Sequence, residues 1–152
     1  MSPEKASKRI ILDRIAWVDR MVEGIQSLPL DSYDRFIADR RNVWAAESCL
    51  RRGFEALLDI GRHILAKIFA VGVSEYKEVA KRLGENSVLS KDEVVLLKTL
   101  AGYRNRLVHF YHEITEEELY KICKNELNDI LRIKSAYLRW LKGHPDMLDE
   151  TL

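Results

Sequence analysis

Apolar residues recur at alternating spacings of four and three along most of this 152-residue chain, and little interrupts them. Ile11, Ile15, Val18, Val22 and Ile25 form one such series, and Ala46, Leu50, Phe54, Leu57, Gly61, Ile64 and Ile68 form another. A repeat averaging 3.6 residues puts each series on one face of an amphipathic helix. Seven Gly and three Pro are too few turn-formers for a many-stranded sandwich or barrel. The pattern predicts an all-α fold, an up-down bundle of four long helices plus one short helix.

Punctuation signals set the expected boundaries. Ser2 followed by Pro3 reads as a cap and first helical position, and Pro29 stops that first helix. A second helix is expected from about Asn42 to Ile68, with Gly53 and Gly61 allowing a neighbour to approach closely. Ser74 is placed to cap a short helix ending at Gly84. Ser90-Lys91-Asp92-Glu93 is a capping box that opens a third long helix through the region of Arg104. Thr115 to Glu118 reads as a second capping box, with Ile114 and Leu119 as its hydrophobic staple. From there a continuous fourth helix through Ile122, Ile130, Ile133 and Tyr137 is expected to end at Gly143-His144-Pro145. The chain reads as a single helical domain over 1–152, with a loosely held tail from about 144 to 152.

Composition removes several function classes. Lys and Arg total 25 against 24 Asp and Glu, a net charge of +1, so binding to a polyanion must be local. No apolar run approaches the ~20 residues of a membrane span, and no signal-peptide core follows Lys8-Arg9, so a cytoplasmic location is expected. Cys49 and Cys123 lack a C-x-x-C spacing and read as small, mostly buried thiols. Phosphate-binding glycine loops and H-E-x-x-H are missing, and the residue three before each histidine is never Glu, which removes the di-iron bundle pattern. His109 and His112 could share a metal but have no third well-placed ligand.

The unusual segment is Tyr103-Arg104-Asn105-Arg106-Leu107-Val108-His109-Phe110-Tyr111-His112-Glu113. On a continuous helix, Arg104 falls near the centre of the apolar face made by Val94, Leu97, Leu100, Ala101, Leu107 and Val108. An unpaired guanidinium there would cost several kcal/mol, so Arg104 must pair with a carboxylate, Glu47 or Glu55, or open onto a polar cleft. Arg104, Asn105 and His109 cover one sector roughly 140° wide, and Tyr111 returns to that side if the helix persists. From residue types alone, two readings stand: a buried Arg–Glu tie with a helix-terminal His, or a catalytic site.

Other features read as structural. Trp17, Trp44 and Trp140 are expected in the core or an interface rather than as stacking platforms. Residues 35–67 carry seven Lys/Arg against four acids, a solvated face that could also line a polyanion path. Residues 112–130 carry six acids against two Lys, a charge suited to a basic partner. His63 reads as a structural residue of the second helix and His144 as an exposed C-terminal one.

The string Arg104-Asn105-Arg106-Leu107-Val108-His109-Phe110-Tyr111 resembles the R-x4-H-x-Y motif of the HEPN superfamily, specifically the HepT toxins encoded beside a minimal nucleotidyltransferase (MNT) antitoxin. Phe54 to Ile64 resembles the second-helix segment of the same family, and the helix order matches over nearly the whole chain. Tyr103 and His112 depart from the apolar and aromatic residues expected beside the motif. The resemblance implies a metal-independent endoribonuclease toxin without a cofactor, acting on RNA as a homodimer with catalytic Arg104, Asn105 and His109 at the interface. It also implies Tyr111 as the residue to which the MNT partner transfers AMP. The alternative it leaves open is a non-catalytic helical partner or nucleotide-binding subunit of such a nucleotidyltransferase.

Overall fold

The second apolar series becomes the axis of the molecule. In the computed structural model, which describes residues 4–151, α3 spans Arg40–Ile68 and is buried on most sides along its middle, from Gly53 through Leu58 to Leu65. Asp39 caps it by accepting the Arg41 N–H at 2.9 Å. Around α3 pack α1 (Lys8–Gln26), α2 (Tyr33–Ile37), α4 (Tyr76–Glu85), α5 (Lys91–His109), α6 (Glu116–Asn125) and α7 (Leu127–Gly143). The all-α expectation therefore holds, with seven α-helices among the described residues.

The core runs continuously from Ile11, Val18 and Ile25 of α1 through Phe54 and Leu57 of α3 to Ile133 and Tyr137 of α7. Burying each large side chain of this kind contributes about 1.5–3 kcal/mol, offset by its lost chain and rotamer freedom. Gly61 marks the tightest approach. A Cβ there would lie 2.6 Å from Leu83 Cδ1, 2.8 Å from the Tyr137 hydroxyl and 2.9 Å from Val79 Cγ1. The fully buried Tyr137 hydroxyl satisfies itself by donating to the Leu57 carbonyl at 2.8 Å. Gly53 is less constrained, since its added Cβ would meet Met21 at an ordinary 3.5 Å.

Several boundaries differ from expectation, each for a local reason. Helix α1 starts at Lys8, capped by Ser7 accepting the Ile10 N–H at 3.2 Å; the expected cap Ser2 and Pro3 lie outside the described residues. Ser74 does not cap α4, whose N-cap position is Glu75 with no side-chain cap bond. The helix reaches Glu85, one residue past Gly84. Gly84 serves instead as a close-approach site, where a Cβ would meet Val94 of α5 at 2.6 Å. The fourth long helix is divided at Glu126, whose carbonyl accepts from both Asp129 and Ile130. The stripe Ile122, Ile130, Ile133 keeps one face across that break, so periodicity could not register it. Thr115 caps α6 by accepting the Glu118 N–H at 3.1 Å, while the Glu118 carboxylate turns to Arg106, so the reciprocal half of the expected box does not form.

Past His144 the chain meets the N-terminal segment. Leu148–Asp149 pairs in parallel with Ala6–Ser7, Leu148 is buried, and the His144 ring stacks on Trp140 with centroids 4.6 Å apart. His144 is thus half-buried rather than exposed. His63 does have a structural role: its Nε2 accepts the Ser7 N–H at 3.0 Å, fixing the N-terminal strand to α3.

Candidate active site

Helix α5 enters the core through the Ser90/Glu93 capping box. Ser90 Oγ accepts the Glu93 N–H at 3.3 Å, and Glu93 Oε1 accepts the Ser90 N–H at 2.9 Å. Leu97, Leu100 and Ala101 continue inward as buried residues. The next position of that face is Arg104, with its side chain 20% exposed. Its Nε lies 3.4 Å from Glu55 Oε1, its Nη1 donates to Asn105 Oδ1 at 3.2 Å, and its Cζ sits 4.6 Å from the centre of the Tyr76 ring. Glu55, one of the two candidate partners, is the one used, and it also receives Arg51. The other candidate, Glu47, faces Glu116, and burial together with that like charge raises its carboxyl above the ordinary range. The tie and the cleft coexist, because the Arg104 side chain reaches Glu55 while still bordering open space.

That space is a cleft of about 540 Å³ between the last turns of α5 and the start of α4, lined by Arg104, Asn105 and His109 together with Arg62, Tyr76 and Lys77. His109 is the last residue of α5 and is exposed. The helix C-terminus favours a cation there, and α5 ends with Arg106 and His109 in its final turn. Tyr76 is half-buried, its hydroxyl donating to Asp59 Oδ1 at 2.9 Å. Burial first, then the Asp59 carboxylate, pushes that phenol above its usual range, so it stays protonated.

The candidate site residues separate into two groups. Arg104, Asn105 and His109 converge on one cleft. Tyr111 does not return to their side as a helical residue, because α5 ends at His109 and Tyr111 opens a 3-10 turn over Tyr111–Glu113, with the phenol 65% exposed. His112 packs edge-on to Tyr111 and stays outside the cleft. Trp44, expected in the core or an interface, is 61% exposed, whereas Trp140 is buried. Tyr76 carried no sequence signal at all, and Arg62 appeared only as one member of a basic stretch and of the Phe54 to Ile64 segment, with no role of its own. A Tyr two positions after the expected cap Ser74 becomes informative only once α4 is folded against α3 and α5.

A guanidinium with a fork of donors beside an exposed imidazole and an amide can bind a phosphodiester and move a proton at it. Comparison with known proteins identifies the class. Residues 12–136 match the family described as ribonuclease HepT-like, and the chain belongs to that family, the HEPN ribonucleases. It is a ribonuclease of that family. It is similar to a tRNA nuclease HepT of Aphanizomenon flos-aquae, with 25% identity over 141 residues covering 93% of each chain. It shares its fold with a tri-AMPylated HEPN toxin of Shewanella oneidensis solved in complex with MNT antitoxin, at a TM-score of 0.77 and 24% identity over 86% of this chain and 97% of that one. The Bacillus subtilis cytosolic protein YutE, of unknown function, also shares it, at a TM-score of 0.77 and 18% identity over 93% and 94% of the two chains. No helix among the described residues is long and apolar enough to cross a membrane.

Proposed function

We propose that this protein is an endoribonuclease toxin that cleaves RNA without a metal, by attack of the 2′-hydroxyl on the adjacent phosphate, using Arg104, Asn105 and His109. The observation that carries this reading is the convergence of those three side chains on one cleft, with the Arg104 guanidinium already held by Glu55. RNA supplies its own nucleophile. The protein need only remove the 2′ proton, stabilise the crowded phosphorane and protonate the departing 5′ oxygen. An imidazole is suited to either proton transfer. Arg104 presents paired donors to the equatorial phosphoryl oxygens, and Asn105, bonded to Arg104, keeps that fork aligned.

One chain offers one motif histidine, while a turnover needs an acid and a base. A homodimer that apposes two copies of His109 across a twofold axis supplies both, and the exposure of His109 and of Phe110 beside it suits such an interface. The partner that restrains the toxin is an MNT-type nucleotidyltransferase, as in the complex of the Shewanella relative. Tyr111 is its target: the phenol is 65% exposed on a turn directly after His109 and is free to attack the α-phosphorus of ATP with release of pyrophosphate. An added AMP would carry a phosphate charge that competes for Arg104 and a purine that fills the substrate's space. Coexpression with an MNT-type nucleotidyltransferase should add AMP masses that vanish in Tyr111→Phe; inhibition with no added mass would mean steric masking instead.

The test of the chemistry is the product end. Purified protein incubated with tRNA and a chelator should leave 2′,3′-cyclic phosphate ends, and a 2′-deoxy substitution at the cut site should block cleavage. Products bearing 5′-phosphates, or activity that the chelator abolishes, would overturn the mechanism.

A further inference from the structure

Tyr76 is the first residue of α4 and stands against both α3 and α5 where they border the cleft. Its ring centre lies 4.8 Å from Arg62 Cζ and 4.6 Å from Arg104 Cζ, and no other ring among the described residues is shared by two cations. The ring is itself fixed. Its hydroxyl donates to Asp59 Oδ1 at 2.9 Å and accepts from Arg62 Nη2 at 3.3 Å, while Arg62 Nη2 also reaches Asp59 Oδ1 at 2.8 Å. Asp59 and Arg62 are three apart on α3, so one helical turn supplies both partners of the Tyr76 hydroxyl.

We propose that Tyr76 is a positioning residue that orders the guanidiniums of Arg62 and Arg104 as a pair along the cleft, and that Arg62 contacts the RNA phosphodiester next to the one being cleaved. This rests on the ribonuclease reading above and names a second phosphate subsite within it. Three observations support it. Arg62 and Arg104 both line the same cleft, so one bound strand can meet both. Asp59 and the Tyr76 hydroxyl engage only the Nη2 corner of Arg62; its Nε and Nη1 make no hydrogen bond among the described residues, leaving those N–H donors for an anion. The two guanidinium carbons are at most the sum of their distances to the ring apart, and a single strand presents a charge at every nucleotide. Two like charges this close repel, and the negative face of an aromatic ring offsets that cost where an aliphatic side chain could not.

The experiment combines binding and rate. In a His109→Ala background, which keeps the RNA intact, the salt dependence of binding to labelled tRNA is compared with and without Arg62→Gln. The lost phosphate contact should flatten the slope of log Kd against log salt by about 0.7–0.9. In the active protein, Arg62→Gln should raise KM more than it lowers kcat. Tyr76→Leu should lower kcat roughly threefold to thirtyfold through a loosened Arg104, and Tyr76→Phe, which keeps the ring, should recover most of that rate. The pH profile of cleavage should not move in either Tyr76 variant, because His109 is untouched.

An unchanged salt slope and KM in Arg62→Gln would overturn the subsite, and a Tyr76→Phe as slow as Tyr76→Leu would overturn the role of the ring. If Tyr76→Leu fails to fold, Tyr76→Phe and Arg62→Gln still decide. A parent protein that cuts no RNA would contradict the ribonuclease reading instead, while the binding slope would still decide whether Arg62 holds a phosphate.

Discussion

The two ends of α5 solve opposite problems. At the N-terminus the capping groups are paired: Ser90 and Glu93 satisfy one another's backbone, and Arg139 clamps the Glu93 carboxylate at 2.7 and 3.0 Å. At the C-terminus the helix carries Arg104 on its inward face, leaves His109 exposed and stops. The Arg104 charge is tolerated because Glu55, Asn105 and the Tyr76 ring surround it without enclosing it. The first end is built for stability, and in the function proposed above the second keeps its binding capacity for a substrate. Substitutions at the two ends should therefore separate stability from rate.

The largest effect is expected at Arg104. Arg104→Ala should lower kcat/KM for RNA about 10²–10³-fold, and Arg104→Lys should recover little of it, since an ammonium lacks the paired donors. Glu55 retains Arg51 when Arg104 is removed, so thermal unfolding should confirm an intact fold. The reverse pattern belongs to the core. Gly61→Ala would force a Cβ into Leu83, Tyr137 and Val79 and should destabilise by about 1–3 kcal/mol in urea unfolding, with unchanged kcat per folded molecule.

At the closed end of α5, Ser90→Ala should cost about 1 kcal/mol of stability, again without changing kcat. A variant there that slowed cleavage while sparing stability would erase the contrast between the two ends. The smallest effect concerns His63. Burial first, then Lys67 and Arg14, hold its imidazole below the ordinary value, so the folded protein binds fewer protons there than the unfolded chain. Its contribution is present above about pH 6.5 and is lost as pH falls below that value. Urea midpoints measured across this window should drop in the parent protein and drop less in His63→Gln.

The sequence made the two ends of α5 legible to different degrees. The capping box is local chemistry over four residues, and it forms as expected. The oddity of Arg104 was also visible, because a charge on an apolar stripe is a contradiction that only a partner or a cleft resolves. What surrounds Arg104 was only partly legible. Glu55 was one of two candidates, and Tyr76 depends on α4 folding back onto α3, a tertiary event with no periodic signature. The place of Tyr111 was conditional for a related reason: it returns to the Arg104 side only if the helix persists, and that regularity ends at Phe110. The break at Glu126 and the pairing of Leu148 with Ala6 escaped notice because a stripe can run through a break, and two-residue strands carry no alternation to read.

The central claim is that the open end of α5 is where RNA is cut, and His109 tests it most directly. Cleavage of tRNA by the purified parent protein and by His109→Ala should be compared in the presence of a chelator, with circular dichroism and thermal unfolding confirming equal folding. Because His109 is exposed and terminal, its removal should leave stability unchanged while lowering the rate about 10²–10⁴-fold. A normally folded His109→Ala protein that cleaves at the parental rate would contradict the account.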